Sequence, residues 1–460
     1  MSEINSRELV LDMLLMVERE EAFSHRIIKE VLTKYDYLTG QEKAFIKRLF
    51  EGTLERQIQI DYFLNQISSV PVKKMKPLIR NLLRMSAYQI LFMDGVPDAA
   101  AANEAVKLAA KRKFYNLKGF VNGVLRKLST QKESLPMPSK KEEPDRFLSV
   151  KYSMPDWIVE HFLAHFSYEK TERILEGLLA VRPVTIRFKG TLTEEKKKRL
   201  LSEFSKRGVT VKEHPFVKQA YELTGCENLA ALPGFSEGAF AVQDASSMLA
   251  VAAAGIKKGD SVLDICAAPG GKTMLAAEYV ADGVVEARDV SEYKVSLIEE
   301  NLQRMQLSNV HTRVFDATKP DEKIKESMDV VLADVPCTGL GVMGKKRDIK
   351  YRQKKEALTE IVELQKEIAV QAASYLKPGG TLLYSTCTIN PSENEEMVFW
   401  IQKELDLVPE SVAEVLSGMP ACETAEKGFI QLLPGIHGTD GFFFAKLKKP
   451  EDGNIKWKKK

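Results

Sequence analysis

The sequence predicts a multidomain chain, with an all-α domain first, a small α/β module next and a doubly wound α/β domain last. Three observations carry that expectation. At 460 residues the chain exceeds one ordinary domain and can bury two or three cores. From residue 1 to about 130, apolar residues recur at i, i+3 and i+4 with few β-branched runs, which is the periodicity of packed helices. From residue 255 onward strand and helix alternate, with runs such as Asp329-Val330-Val331-Leu332-Ala333 that suit a parallel sheet buried on both faces.

Composition narrows the function classes. Hydrophobic residues make up 44% and charged residues 28%, and no run of about 18 uncharged apolar residues could span a bilayer. The opening MSEINSRELVLDMLLMVERE mixes acids and Arg with apolar positions at helical spacing, unlike a basic stretch followed by an apolar one, so we expect a cytoplasmic protein with no membrane role. The five cysteines, Cys226, Cys266, Cys337, Cys387 and Cys422, are odd in number and scattered without a C-x-x-C pair, which argues against a disulfide framework or a structural zinc site. Three of them sit in short Gly/Pro-rich motifs after apolar runs. In a reducing compartment those thiols are candidates for chemistry, the alternative being small buried hydrophobes. His161 and His165 share the i, i+4 spacing of a metal pair but lack the Glu of H-E-x-x-H and a third ligand, so we expect no metal. Net charge is +3, yet residues 1–130 hold 21 Lys+Arg against 15 Asp+Glu. Runs such as Lys73-Lys74-Met75-Lys76 and Lys111-Arg112-Lys113 could follow a phosphate backbone or be solvated helix faces.

Taken in order, residues 1–135 form the helical domain, in which Val96-Pro97-Asp98 separates two helices and the Ala-rich stretch 99–110 has high helix propensity. Gln131 to Pro144 is polar, carries three prolines and reads as a linker. Residues 145–235 form the α/β module: a helix around Trp157–Phe166, a strand at Val184–Phe188, a charged helix near 193–206 and a strand-like run at Gly208–Val211. Residues 236–448 form the last domain. Its expected elements are strand 261–265, helix 272–281, strand 283–289, helix 291–305, strands 310–315 and 328–334, helix 355–376 and strand 380–386. The tail Lys456–Lys460 is expected to be disordered.

Chemistry concentrates at the ends of these strands. Asp264-Ile265-Cys266-Ala267-Ala268-Pro269-Gly270-Gly271-Lys272-Thr273 lies where the first strand of the last domain turns into a helix, and its small residues allow a ligand close to the backbone. Gly271-Lys272-Thr273 has a Walker A ending, but a phosphate loop needs Gly five positions before Gly271, where Cys266 stands. No G-x-G-x-x-G is present. An adenosine cofactor without a large phosphate group fits better, with Asp289 placed for ribose hydroxyls and Asp316 for the adenine amino group. A tight turn with exposed aspartates is the alternative. Asp334-Val335-Pro336-Cys337-Thr338-Gly339 follows the fourth strand, and Tyr384-Ser385-Thr386-Cys387-Thr388 ends a later one, so two thiols converge on one crevice.

Methyl transfer to C5 of a pyrimidine needs such a thiol. Addition of a thiolate to C6 turns C5 into a nucleophile able to attack an electrophilic methyl group, and elimination later frees the thiol. An acid near N3 stabilises the adduct and a base removes the C5 proton. Asp334 suits the first task if it shares a proton; Cys337 or water suits the second. Lys272 or a helix N-terminus would lower the pKa of a neighbouring thiol.

These motifs, with Phe240-Ala241-Val242-Gln243-Asp244-Ala245-Ser246-Ser247 upstream and Gly438-Thr439-Asp440-Gly441-Phe442-Phe443 near the end, resemble the RNA cytosine-C5 methyltransferases of the Sun/Fmu group. Asn103-Glu104-Ala105-Val106-Lys107-Leu108-Ala109 and Phe120-Val121-Asn122-Gly123-Val124-Leu125-Arg126 resemble the RNA-binding helical domain of NusB. The resemblance implies a NusB-like domain, an RRM-like module that helps hold RNA and a Rossmann-like domain that uses S-adenosylmethionine. It also implies 16S ribosomal RNA as partner, in the subfamily acting on cytosine 967. Spacing alone leaves the attacking thiol open; the resemblance assigns it to Cys387, with Cys337 assisting product release. It likewise implies that Lys272 and Asp334 contact the base, and that Cys266, Ala267, Ala268, Pro269, Gly270, Gly271, Lys272, Asp289, Asp316 and Asp334 line the cofactor site. A monomer is expected. Another RNA such as tRNA, or a non-catalytic NusB-like factor, are the competing functions; intact cysteines and glycine loop speak against the latter. The target base must be unstacked or extruded to reach the pocket.

Overall fold

The computed structural model describes residues 5–19, 23–226, 228–416, 418–420 and 422–451; the lysine tail lies outside them. The chain divides into two compact units, residues 1–179 with 343–352, and residues 180–342 with 353–460.

The first unit is helical: α1 (Ser6–Arg19), α2 (Ser24–Lys34), α3 (Gly40–Glu55), α4 (Gln57–Ile67), α5 (Pro77–Phe92), α6 (Asp98–Lys111), α7 (Lys118–Gln131), α8 (Pro144–Tyr152), α9 (Asp156–His165) and α10 (Tyr168–Leu179). Local chemistry starts several of them. Thr39 and Glu42 form a capping box on α3, and Pro77 and Pro144 stand at the first turns of α5 and α8, where a missing N–H costs nothing. Val10, Leu14, Leu49, Leu64, Leu82 and Leu125 meet in one core from α1 to α7.

Two sequence boundaries shift in this unit. Residues 145–179 belong with the helical domain instead of the α/β module, because α8 packs on α4 and the Ser153 hydroxyl accepts from the Ile58 amide at 3.0 Å. The segment Gln131 to Pro144 is not a loose linker either. A 3-10 turn at Lys132–Ser134 continues α7, Leu135 packs on the helical core, and Pro136 O accepts from Gln66 Nε2 at 3.2 Å. Residues 343–352, distant in sequence, also belong to this unit: the Lys350 ammonium, 3% exposed, donates to Glu55 O at 2.7 Å and Ser153 O at 2.6 Å.

The second unit opens with β1 (Val184–Phe188), α11 (Glu194–Lys206), β2 (Thr210–Glu213), β3 (Ala220–Thr224) and β4 (Phe240–Val242). These strands form an antiparallel sheet in the order β2-β3-β1-β4, so β4 carries the module past residue 235. That order is the connectivity of an RRM, with a 3-10 turn at Leu229–Ala231 in place of a second helix. One face packs Phe188, Tyr221 and Phe240 around Phe204 of α11.

The rest of the unit comprises α12 (Ala245–Ala253), β5 (Ser261–Asp264), α13 (Gly271–Val280), β6 (Val284–Asp289), α14 (Glu292–Met305), β7 (Val310–Val314), β8 (Met328–Asp334), α15 (Ile349–Arg352, which lies in the first unit), α16 (Ala357–Tyr375), β9 (Leu376–Thr386), α17 (Glu395–Leu405), β10 (Val408–Pro409), β11 (Phe429–Leu432) and β12 (Phe442–Lys448). The main path of the sheet is β10-β12-β9-β8-β5-β6-β7, parallel from β9 to β7, with antiparallel β12 beside β9. This is a doubly wound, Rossmann-like fold with a mixed sheet. Its antiparallel strands, β11 and β12, have no counterpart in the sequence-based element order. Apolar side chains of α12 and α13 cover one face and those of α16 and α17 the other. Because β5, β6 and β7 run one way from the centre and β8 and β9 the other, the crevice opens where β5 and β8 part, at their carboxyl ends.

The second face of the four-stranded sheet is closed over β1 and β4, while Thr210, Lys212 and Thr224 stay exposed on it. Ala220 and Ala241 join cores that include α13, and Arg187, 1% exposed, pairs with Glu278 of α13 at 2.8 Å and donates to Gln243 Oε1 at 3.2 Å. Removing one partner leaves the other charge buried, which costs about 3–5 kcal/mol, whereas an apolar pair of similar volume can be nearly neutral. Glu278→Ala is therefore expected to lower stability by about 3–5 kcal/mol in urea unfolding of the full chain. The double variant Arg187→Met/Glu278→Leu should recover most of that loss; equal losses in both would contradict the assignment.

Candidate active site

The crevice is built from four chain segments. The first follows β5, where Ala267 N donates to Arg288 O at 2.8 Å and Gly270 N to Ala267 O at 2.7 Å, so the motif turns tightly over the end of β6. Gly270 has φ 98°, and a Cβ there would approach Ile298 Cγ2 at 3.3 Å; glycine meets both demands. Helix α13 starts at the next residue. Its second residue, Lys272, is 9% exposed and sends its ammonium to Asp334 Oδ2 at 2.7 Å, 5.0 Å from the centroid of the Phe442 ring. The lysine of the Walker-like ending is thus committed to a carboxylate of the chain.

The second and third segments are the ends of β8 and β9. Their parallel register sets Asp334 opposite Ser385, and the Ser385 hydroxyl donates to Asp334 Oδ1 at 2.8 Å. Pairing continues one step through Val335 N to Ser385 O at 3.1 Å. Beyond it the two motifs bring Cys337 Sγ and Cys387 Sγ to 3.3 Å. The hydrogen bond to Cys387, helped by burial, pushes the Cys337 thiol well above its ordinary pKa, so Cys337 holds its proton.

The fourth segment is the turn into β12. Gly341 N donates to Cys387 O at 3.1 Å, and Gly441 N donates to Gly341 O at 2.9 Å. A Cβ on Gly341 would stand 2.0 Å from Gly441 O and 2.8 Å from Cys387 O, so only glycine allows this approach. The motif Gly438–Phe443 therefore backs the two cysteine loops and supplies Phe442 beneath Lys272.

The carboxylates predicted to face the crevice differ in environment. Asp289 is 5% exposed and fixed by Ala268 N at 3.0 Å, Val290 N at 2.8 Å and Lys294 Nζ at 3.0 Å. Asp316 is exposed and turned back on Thr318, whose amide and hydroxyl bonds hold its carboxyl below the usual range. Asp264 is 1% exposed; Oδ2 accepts from the Thr273 hydroxyl at 2.7 Å, while Oδ1 meets no donor among the described residues. Burial pushes its carboxyl up to about 7. Burial likewise raises the Cys266 thiol, which packs on the core beneath the loop and is inert by that measure.

Sequence reasoning did not single out the polar layer behind the cysteines. Glu393, fully buried, accepts from Thr338 N at 3.0 Å, Gln365 Nε2 at 2.9 Å, Asn390 Nδ2 at 3.0 Å and the Thr338 hydroxyl. Asn394 accepts from the Thr386 hydroxyl at 2.6 Å and donates to Thr388 O at 3.1 Å. The available signal was the polar run Asn390-Pro391-Ser392-Glu393-Asn394 directly after the Thr-Cys motif.

Comparison with known proteins shows the family. Residues 251–448 match the family described as 16S rRNA methyltransferase RsmB/F, and residues 4–130 match the NusB family. The chain is 34% identical over 452 residues to the probable ribosomal RNA small subunit methyltransferase B of Bacillus subtilis (strain 168), covering 98% of this chain and 100% of that one. It is 30% identical over 449 residues to the protein of the same description from Synechocystis sp., covering 97% and 100%. The crystal structure of PH0851 aligns with a TM-score of 0.79 at 27% identity, over 97% of this chain and 99% of that one. Fold and site together define an S-adenosylmethionine-dependent methyltransferase joined to a NusB-type RNA-binding domain. The chain belongs to the family of ribosomal RNA small subunit methyltransferases B. No helix among its described residues is long and apolar enough to cross a membrane.

Asp264 yields a pH prediction. Its folded pKa of about 7 lies above the value of about 3.9 for an unfolded aspartate, so its proton stabilises the fold fully below about pH 4 and that contribution is lost as pH rises through about 7. Asp264→Asn keeps an acceptor for Thr273 and never ionises. Urea midpoints of the variant should fall less steeply than wild type across that window in the absence of cofactor; parallel profiles would contradict the buried titration.

Proposed function

We propose that the protein methylates C5 of a cytosine in 16S ribosomal RNA, cytosine 967 by its subfamily, through a covalent bond between Cys387 and C6. The observation that carries this is the pair of thiols 3.3 Å apart at the ends of two adjacent strands, beside the Lys272 and Asp334 pair. S-adenosylmethionine supplies an electrophilic methyl group. Cys266 to Lys272, Asp289, Asp316 and Asp334 would hold it, Asp289 taking the ribose hydroxyls and Asp316 an amino group at the rim. The chain offers a specific fit: the buried Oδ1 of Asp264 needs a donor, and a cofactor amino group is one.

The remaining work falls to side chains of the chain itself. The Lys272 ammonium, held on Asp334 Oδ2, can deliver a proton toward N3 of the base while Asp334 accepts from the exocyclic amino group. Ser385 holds the second carboxylate oxygen and so fixes its plane. Cys387 adds to C6, making C5 nucleophilic. After methylation a base removes the C5 proton, the C–H electron pair forms the C5=C6 bond, the C6–S bond breaks with its pair on Cys387 Sγ, and the proton on N3 returns to Lys272. Cys337, which keeps its proton, donates to that departing sulfur and so assists release. Water is the proton acceptor at C5 in this scheme.

The helical unit and the four-stranded module of residues 180–242 serve to grip RNA shape, and the remainder of the second unit serves the chemistry.

The test uses labelled S-adenosylmethionine and unmodified 16S RNA. Cys387→Ala is expected to lose both methyl transfer and any protein–RNA adduct on denaturing gels, whereas Cys337→Ala should accumulate the adduct. Adduct formation by Cys387→Ala but not by Cys337→Ala would reverse the roles. Methylation of tRNA but not 16S RNA would replace the substrate, and no transfer to any RNA would end the enzymatic reading.

A further inference from the structure

Directly behind the two thiols lies a charged side chain that the chemistry above does not use. Glu393 is 0% exposed, yet it lies on neither the cofactor loop nor a cysteine motif. Both of its oxygens are saturated. Oε2 accepts from Thr338 N at 3.0 Å and Gln365 Nε2 at 2.9 Å, and Oε1 accepts from Asn390 Nδ2 at 3.0 Å and the Thr338 hydroxyl. A carboxylate has about four acceptor sites, and all are filled by neutral donors.

The direction of these bonds reveals a clamp. Since Glu393 only accepts, the Thr338 hydroxyl must donate to it; the Thr388 hydroxyl, 2.8 Å from Thr338 Oγ1, must then donate to Thr338. Thr338 follows Cys337 and Thr388 follows Cys387. Tyr384 OH reaches Glu393 O at 2.7 Å, and Gln365 Nε2 also holds Pro336 O at 2.9 Å, the carbonyl just before Cys337. The loop after β8 is thereby tied to the strand end after β9 on both sides of Cys337.

We propose that Glu393 is a positioning residue for the release step: by locking Thr338 to Thr388 it keeps Cys337 Sγ within proton-transfer reach of Cys387 Sγ. This rests on the roles of the two cysteines given above. Glu393 touches no reacting atom, and Cys387, the first residue past β9, is also held by the Gly341 N–H on its carbonyl, so attack on C6 survives the loss of Glu393. Elimination suffers, because the departing Cys387 sulfur no longer meets the Cys337 proton at 3.3 Å.

Glu393→Gln places an NH2 group where two donors already converge, so it breaks the clamp while keeping volume. Full-length Glu393→Gln is expected to bind S-adenosylmethionine within about twofold of wild type and to complete one turnover with 16S RNA. Its steady-state rate should fall about tenfold or more, with covalent protein–RNA adduct building up as in Cys337→Ala. Thr338→Val, which removes only the hydroxyl, should show the same pattern to a smaller degree and covers the case in which Glu393→Gln does not fold. Adding Cys387→Ala to either variant should abolish the adduct. If Cys337→Ala accumulates adduct while Thr338→Val and a folded Glu393→Gln turn over like wild type, the clamp is wrong and the cysteine roles stand. If both variants lose cofactor binding and first turnover together, Glu393 is merely structural and the proposal fails. If Cys337→Ala itself forms no adduct, the cysteine roles fall and the proposal falls with them.

Discussion

The parallel register of β8 with β9 is the constraint on which the site depends. It sets Asp334 opposite Ser385, and because the two chains leave the sheet in step, the next turns carry Cys337 and Cys387 to the same place. A shift by one residue would turn each side chain to the other face of the sheet, separating the carboxylate from its serine and from Lys272. The register is held from both faces by Val331, Leu332, Leu382 and Leu383, all without exposure, so the chemistry is aligned by apolar packing some residues away.

Beyond the strand ends no ladder remains to hold the loops, and polar groups take over. Thr338, Thr388, Glu393, Gln365, Asn390 and Asn394 are buried and mutually satisfied, which makes the layer rigid; an unpaired member would cost about 1–3 kcal/mol. Glycine completes the arrangement at Gly341, where two backbones and the Cys387 carbonyl meet without room for a Cβ. Asp264 is the counterexample in the same crevice: its Oδ2 accepts from Thr273, but its Oδ1 meets no donor among the described residues and burial raises its pKa.

Much of this was legible in the chain. Continuous apolar runs gave the parallel strands within about two residues except the start of β9, at Leu376 where 380 was expected, and the rule that ligands sit at strand carboxyl ends put Asp264, Asp289, Asp316, Asp334, Cys337 and Cys387 at one crevice, of which Asp316 is exposed and bonded back to Thr318. Other features were not legible, for physical reasons. Helices α8 to α10 carry apolar stripes that say they pack, but not on which partner, so residues 145–179 could not be separated from the module by periodicity alone. Strands β11 and β12 pair antiparallel at the edge of the sheet, a long-range arrangement with no local period to distinguish it from the module's strands. Residues 343–352 are polar and short, and only tertiary contacts, such as the burial of Lys350 and the pairing of Arg347 with Glu51 and Glu55, assign them to the helical unit. Glu393 reads as a solvated charge in a polar run, since burial with four donors is a property of tertiary contacts.

Two compact units share this chain, and the proposed reaction of the second turns on which sulfur would bond to the base. The most direct measurement uses 16S RNA with 5-fluorocytosine at the target, whose C5 substituent cannot leave as a proton does, so that a methylated adduct cannot eliminate. After incubation of the wild-type protein with S-adenosylmethionine and proteolysis, mass spectrometry of the RNA-linked peptide should place the bond on Cys387. Attachment at Cys337, or methylation without any linked peptide, would contradict the account.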